Sequence, residues 1–327
     1  MSPPALMLRR NRRRPQRGAA LLTAMIIVVL IVTLAASMVW QQWRAVQVEV
    51  AERARTQSAW ILSGALDWAR LILREDARGN IDHLGEPWAV PLAEARLSTF
   101  LAADKNNADD GPEAFLSGRI TDAQARYNVT NLVDPGQGAV DPLEFAAFER
   151  LCLNVGVDAT VASLVATGMR DALAPAGSTG ATANAPLLPQ SVAQLGWLGV
   201  DAASLETLAP FIVVLPIITA VNVNTAPAEV LVAVIKGNDH ATAERLLQVR
   251  QRKPFENVAQ FTAEVPSLAP LTARLDVKSS FFEVHGRLRL NDRVLEETSL
   301  VRRQGSRQID VLRRERVASR EDTTATN

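Results

Sequence analysis

The sequence predicts an α+β protein. Three observations carry this: an uncharged apolar stretch that runs on into an amphipathic helical pattern, several helical periodicities in the middle of the chain, and two alternating strand-like runs near its end. At 327 residues, the chain has room for one large or two modest folded domains once an anchor is subtracted.

The first element is a basic leader. Arg9, Arg10, Arg12, Arg13, Arg14 and Arg17 precede Gly18 with no acid among them. The whole chain holds 35 basic and 35 acidic residues, so without these six arginines it keeps 35 − 6 = 29 basic and carries a net charge of −6. A mildly acidic remainder is a poor general binder of nucleic acid.

The second element crosses a membrane. No residue from Ala19 to Trp43 is charged, and about 25 residues at ~1.5 Å each span a ~30 Å hydrocarbon core. The arginine cluster places the N-terminus in the cytoplasm and everything after Trp43 on the far side, which in a Gram-negative cell is the periplasm. Trp40 and Trp43 stand where the helix leaves the lipid. A secretory signal cut near Ala35, Ala36 and Ser37 is the competing reading. Against it, the apolar run continues through Met38, Val39 and Trp40.

Beyond Trp43 the helical pattern persists. Val46, Val50, Ala54, Gln57, Ile61, Ala65, Trp68 and Ile72 recur at three- and four-residue spacing, predicting one helix from about Ala19 to about Arg74, ended by Arg78-Gly79-Asn80. Gly118 to Val133 reads as strand-like, with Ile120, Tyr127 and Val129 buried. Helices follow at Pro142–Val155 and Val161–Ala174, then a flexible loop at Pro175–Asn184, then helices at Leu205–Val214, Ala226–Ile235, Ala241–Gln251 and Val258–Ala263. From Ser279 to Leu312 the runs Phe281–Leu290 and Val294–Val301, split by Asn291-Asp292, form a hairpin signature. The tail after Leu312 reads as disordered.

Little in the chain supports catalysis. Cys152 stands alone in an apolar run and reads as a buried small hydrophobe. His83, His240 and His285 are scattered, and Asp67 and Asp122 are isolated, without a motif partner. The protein is read as no enzyme, with no cofactor required. Calcium is the one metal its acids suit, through Asp104, Asp109 and Asp110 in the loop 104–113 or through Asp134 and Asp141 beside Glu144. The offsets of an EF-hand are missing, and turn or cap roles explain these acids as well.

Val221 to Phe261 is similar to paired helix-hairpin-helix units of DNA-binding proteins. Asn224 or Thr225 is placed to cap a helix, Pro227 fits its first turn and Glu229 is an early-turn acid. The basic stripe Arg245, Arg250, Arg252 and Lys253 motivates a rival reading, a membrane-tethered DNA-binding protein. The hairpin Lys236-Gly237-Asn238-Asp239, with one glycine and an acid, suits phosphate badly.

The string R-G-A-A-L-L-T-A-M-I-I-V-V-L from Arg17 resembles a type IV prepilin signal. Further segments match in order: A-W-I-L-S-G-A-L-D-W-A-R-L-I-L-R-E-D ending at Asp76, D-H-L-G-E-P-W-A from Asp82, and S-G-R-I-T-D-A-Q-A-R-Y-N-V-T-N-L-V from Ser117. V-N-V-N-T-A-P-A-E-V-L from Val221 and V-K-S-S-F-F-E-V from Val277 complete the set. Together they resemble the general secretion pathway protein K family, minor pseudopilins of type II secretion systems.

The resemblance implies a cut between Gly18 and Ala19 by a prepilin peptidase, with N-methylation of the new Ala19 amine. It implies a pilin-like core, a long helix on a small antiparallel sheet, with a large mostly α-helical domain inserted that contains the helix-hairpin-helix or SAM-like region. The boundaries are 1–18 leader, 19–43 transmembrane, 44–133 helix continuation and first part of the core, 134–276 insert, 277–312 last strands of the core and 313–327 tail. The implied partners are the I and J minor pseudopilins, the major pseudopilin, and lipid through residues 19–43, in the inner membrane with the main domain periplasmic. The implied role is a tip subunit that helps start pseudopilus assembly and export of folded proteins. Most pilins carry glutamate at the fifth mature position, where this chain has Thr23; a subunit with nothing above it has no amine to neutralise. Some members bind calcium through acids in the stretch matching Gly168–Gly180, where Asp171 stands nearly alone and argues against calcium by that route.

Overall fold

The computed structural model describes residues 17–97, 114–173, 185–237, 239–266, 269–270, 274–290, 293–305 and 308–320. The chain divides into two units, residues 1–59 and 60–327.

Helix α1 runs Arg17–Asp76. Every side chain from Ala20 to Val50 is exposed, so the apolar residues of the first unit face outward on all sides of the helix. Such a surface suits lipid, and the helix is long and apolar enough to cross a membrane. Its hydroxyls are satisfied internally: Thr23, Thr33 and Ser37 donate to the carbonyls of Ala20, Leu30 and Leu34 at 2.9, 2.9 and 2.8 Å. Arg44 lies over the Trp40 ring at 5.4 Å.

In the second unit α1 becomes one-sided. Leu62, Leu66, Ala69 and Leu73 fall on one face and are buried. This face packs on Ile120, Phe282, Val284, Val301 and Ile309 of a sheet, with Trp88 wedged edge-on against Phe282 at 5.3 Å. The described strands of that sheet are β1 (Leu92–Arg96), β2 (Ala114–Asp122), β3 (Phe281–Leu290), β4 (Arg293–Gln304) and β5 (Gln308–Arg320). They lie in chain order with every neighbour antiparallel. Gly118 faces Gly286 across β2 and β3. A Cβ on Gly118 would lie 2.7 Å from the His285 carbonyl of the neighbouring strand, and one on Gly286 would lie 3.1 Å from Leu62, so Gly118 lets the strands pair closely and Gly286 lets α1 approach the sheet.

Residues 123–280 are inserted between β2 and β3, which pair directly, so the insert leaves and returns at one end of the sheet. Its helices are α2 (Pro142–Asn154), α3 (Ala159–Leu173), α4 (Ala202–Leu208), α5 (Ala228–Val234), α6 (His240–Arg252) and α7 (Val258–Ala263). Acids and one amide begin several of them: Asp141, Asp201, Asp239 and Asn257 each accept a backbone N–H of the first turn. The core of the insert gathers Tyr127, Phe148, Leu151, Met169, Leu195, Leu231, Leu246 and Phe261. Tyr127 stacks on Phe148 at 5.5 Å. Cys152 is fully buried here, and burial pushes its thiol up to about 12.

Three expectations change. The strand expected from Gly118 to Val133 stops at Asp122, because Asp122 and Asn128 accept the N–H two residues on (Gln124 at 2.8 Å, Thr130 at 3.2 Å) and bend the chain into 3₁₀ turns. The helix expected over Leu205–Val214 ends at Leu208, and Ile212-Val213 instead pair in parallel with Tyr127-Asn128; a short apolar run reads alike as buried strand and buried helix. The tail expected to be disordered from residue 313 continues β5 to Arg320. Its charges suit an edge strand, because Arg314 and Arg316 both reach the buried Glu297 of β4. The loops 175–184 and 104–113 and the pair Asn291-Asp292 lie outside the described residues.

Candidate functional site

The notable chemistry of the second unit lies at the seam where the insert meets the sheet. Asp122, the last residue of β2, turns its carboxylate inward and is 4% exposed. Three side chains donate to its Oδ2: Asn222 at 3.0 Å, Thr225 at 2.6 Å and Ser279 at 2.6 Å. They reach it because Val221-Asn222 pair in parallel with Leu275-Asp276, which brings two distant stretches of the insert back to its root. Burial pushes the Asp122 carboxyl up, and the hydrogen bonds from Ser279, Thr225 and the Gln124 N–H pull it back.

A second layer centres on Arg303 of β4, whose side chain is 3% exposed. Its Nη2 donates to both oxygens of Asp82 at 2.6 and 2.5 Å and to the Ser279 carbonyl at 2.6 Å, while Nη1 reaches Asp76 at 3.0 Å. The guanidinium also lies 4.8 Å from the centre of the Phe282 ring. Asp82 joins the two layers: it accepts the Ser279 N–H at 2.7 Å, and its carbonyl accepts from Asn222 at 3.1 Å. Glu86 accepts from the His83 N–H at 2.9 Å and from the Trp88 ring N–H at 2.8 Å. Oxygens of Asp76, Asp82 and Glu86 lie within 4.8 Å of one another, gathered about Arg303. Burial, Glu86 and Asp82 together raise Asp76 to about 7 despite Arg303.

Chemically, the arrangement holds elements together. It ties the end of α1, the connection 77–91, β2, β4 and both ends of the insert through groups that are mostly buried. A buried charge served by several donors holds its partners to one geometry and penalises any that break away.

The sequence-derived site residues lie elsewhere. Gly18 and Ala19 are helical, and Thr23 donates its hydroxyl within the helix. Asp104, Asp109 and Asp110 lie outside the described residues. Asp134 accepts the N–H groups of Gly136 and Gln137 at 2.7 and 3.2 Å, Asp141 caps α2, and Asp171 pairs with Arg170 at 2.7 Å. The basic stripe is taken apart. Arg250 turns inward and donates to the Val223 and Ala226 carbonyls at 2.7 and 2.6 Å, Arg245 pairs with Glu264 at 3.2 Å, and Lys253 pairs with Glu256 at 3.0 Å. Burial draws Arg250 down to about 10. Neither Asn224 nor Thr225 caps α5: Thr225 bonds Asp122, Asn224 holds the backbone of Phe255, and Pro227 occupies the cap. His285 sits between Thr121 and Thr298 at 3.4 and 3.1 Å.

Asp122 is the residue that sequence reading missed most clearly, since it appeared isolated. Its side-chain partners stand 100, 103 and 157 residues away, beyond any periodicity. The available signal was chemical: the apolar segments at Val221 and Val277 carry Asn222, Thr225 and Ser279 in places where a core alone would not need them.

Two family models described as Type II secretion system (T2SS), protein K match the chain, one over residues 125–217 and one over 221–278. Both fall within the insert. The Type II secretion system protein K of Pseudomonas aeruginosa is 29% identical over 289 residues, covering 80% of this chain and 80% of that protein. In fold, the chain is similar to a chain from the crystal structure of the GspK-GspI-GspJ complex of enterotoxigenic Escherichia coli, with a TM-score of 0.63 and 23% identity over 82% of this chain and 99% of that one. The matched insert on a helix-and-sheet core, behind an apolar N-terminal helix, places this chain in the type II secretion system protein K family, as a minor pseudopilin.

Proposed function

We propose that this minor pseudopilin occupies the tip of a periplasmic pseudopilus, together with I- and J-type minor pseudopilins, and helps to start its assembly on the major pseudopilin. The observation that carries this reading is the insert, residues 123–280, rooted at one end of the pilin-like sheet by a buried polar seam. A domain of that size fits a subunit with a free end better than one stacked between like neighbours. Thr23 supports the same position, since its hydroxyl is satisfied within its own helix and asks for no amine above it. The solved relative is a complex with GspI and GspJ, and that partnership is proposed here for this chain.

In this reading a prepilin peptidase cuts between Gly18 and Ala19, the new amine is methylated, and residues 19–43 remain in the inner membrane with the following domain in the periplasm. No cofactor enters it. The full chain, co-expressed with I- and J-type partners and purified from detergent, is expected to retain both through gel filtration. Recovery of this chain alone under conditions where the other two still pair would overturn the reading.

A further inference from the structure

The charges around Arg303 do not balance. Asp82 is served on both oxygens by Arg303 and by the Ser279 N–H, and Glu86 by the His83 N–H and the Trp88 ring. Asp76, with a side chain 8% exposed, receives the other guanidinium nitrogen at 3.0 Å. One of its oxygens also lies within 4.8 Å of oxygens of Asp82 and Glu86. Carboxylates held this close, with one guanidinium between them, favour a proton on one of them.

We propose that Asp76 holds a proton within this cluster, and that its loss loosens the end of α1 and the connection 77–91 from β4, making this corner a pH-set clamp. The inference rests on the packing of the second unit and is independent of the position proposed for the subunit in a fibre.

The groups facing Asp76 come from each neighbouring element. The connection brings Asp82, Glu86 and His83, whose Nε2 is 4.0 Å from Glu86 Oε1. β4 brings Arg303. The returning end of the insert brings Lys278, which donates to the Gly79 carbonyl at 2.6 Å. On α1 itself Glu75 is paired with Arg78 at 3.0 Å. Asp76 and Asp82 therefore share one buried guanidinium with Glu86 close by, and a proton offsets part of the excess negative charge.

The sign follows from the direction of the shift. Asp76 is raised from its ordinary 3.8 to about 7, by burial first and then by Glu86 and Asp82. The folded state holds this proton more tightly than the unfolded one, so the stabilisation is complete below the ordinary value and is lost as pH rises through about 7.

Hydrogen exchange of the full chain in detergent micelles, with chelator present, tests the clamp in peptides covering residues 77–91 and 299–304. After correction for intrinsic exchange, local opening is expected to rise about tenfold per pH unit through the transition and then level off. Asp76→Asn is expected to show no such rise. A flat wild-type profile, or an unchanged rise in Asp76→Asn, would overturn the proposal. Should Asp76→Asn fail to fold, Glu86→Gln provides the second arm. Removing one repelling acid is expected to keep the transition and move it to lower pH, and an unmoved midpoint would equally refute the clamp.

Discussion

Asn222 Nδ2 lies 3.0 Å from Asp122 Oδ2, one hundred residues earlier in the chain, and the same nitrogen lies 3.1 Å from the Asp82 carbonyl. One carboxamide thus joins the insert, the end of β2 and the connection after α1. Asn222→Ala is expected to lower unfolding free energy by about 2 kcal/mol, because it removes one donor from a buried carboxylate and the donor that serves the buried Asp82 carbonyl. Asn222→Asp is expected to cost more at neutral pH, and less when acid protonates the new pair. Urea unfolding of the full chain in micelles measures both, and equal stability of the three proteins would remove the seam from the account.

Leu73 is fully buried where α1 lies on the sheet, in one cluster with Trp88, Phe282 and Val301. Leu73→Ala is expected to destabilise the second unit by about 3 kcal/mol through lost burial and an unfilled cavity. Leu71, on the opposite side and 43% exposed, serves as the control, and its replacement by alanine is expected to change stability by under ~1 kcal/mol.

Glu283 sets the acid limit of the sheet. Burial alone would raise it, but His285 and Arg126, the latter 2.7 Å away, hold it near 2 against an ordinary 4.5. A lowered carboxyl contributes stability above its ordinary value and loses it as pH falls toward the folded one. Stability is therefore expected to drop between about pH 4.5 and 2, by on the order of 3 kcal/mol for this group. Arg126→Met should flatten that part of the thermal-melt profile; an identical acid limb in the variant would assign it to other carboxyls.

Gly18→Val tests the proposed cut. Bulk at the residue before the scissile bond is expected to leave a precursor that is longer by the basic leader, still in the membrane, and inactive in export. Mass spectrometry of the purified chain reads this directly, and a mature N-terminus at Ala19 in the variant would exclude processing at this site.

Much of the fold is legible residue by residue. The spacing of Ile61, Ala65, Trp68 and Ile72 shows the helix but not its buried face, which is one residue further on: Leu62, Leu66, Ala69 and Leu73 are buried, while Trp68 is 43% exposed. Phe281–Leu290 alternates and pairs with the next strand in register, Phe282 opposite Val301 and Leu288 opposite Leu295. Asp141, Asp239 and Asn257 begin helices by accepting first-turn N–H groups, a local event that needs only neighbouring residues. Where local rules failed, a distant partner won: Thr225 bonds Asp122 in place of an α5 backbone group, and Arg250 leaves an expected exposed stripe to satisfy two carbonyls of the insert.

The sequence by itself determined the apolar span from Ala19 to Trp43, the one-sided continuation of α1, the closing strands and the family resemblance. The first three follow from spacing along the chain, because short-range geometry sets which side chains share a face, and the resemblance follows from the matching segments. Only the tertiary structure decided that Asp122 is the root of the insert, that β5 continues to Arg320 beside Glu297, and that Asp76, Asp82 and Glu86 converge on Arg303. Those facts depend on contacts between residues up to 227 positions apart, and a buried charge takes its meaning from whatever the fold places beside it.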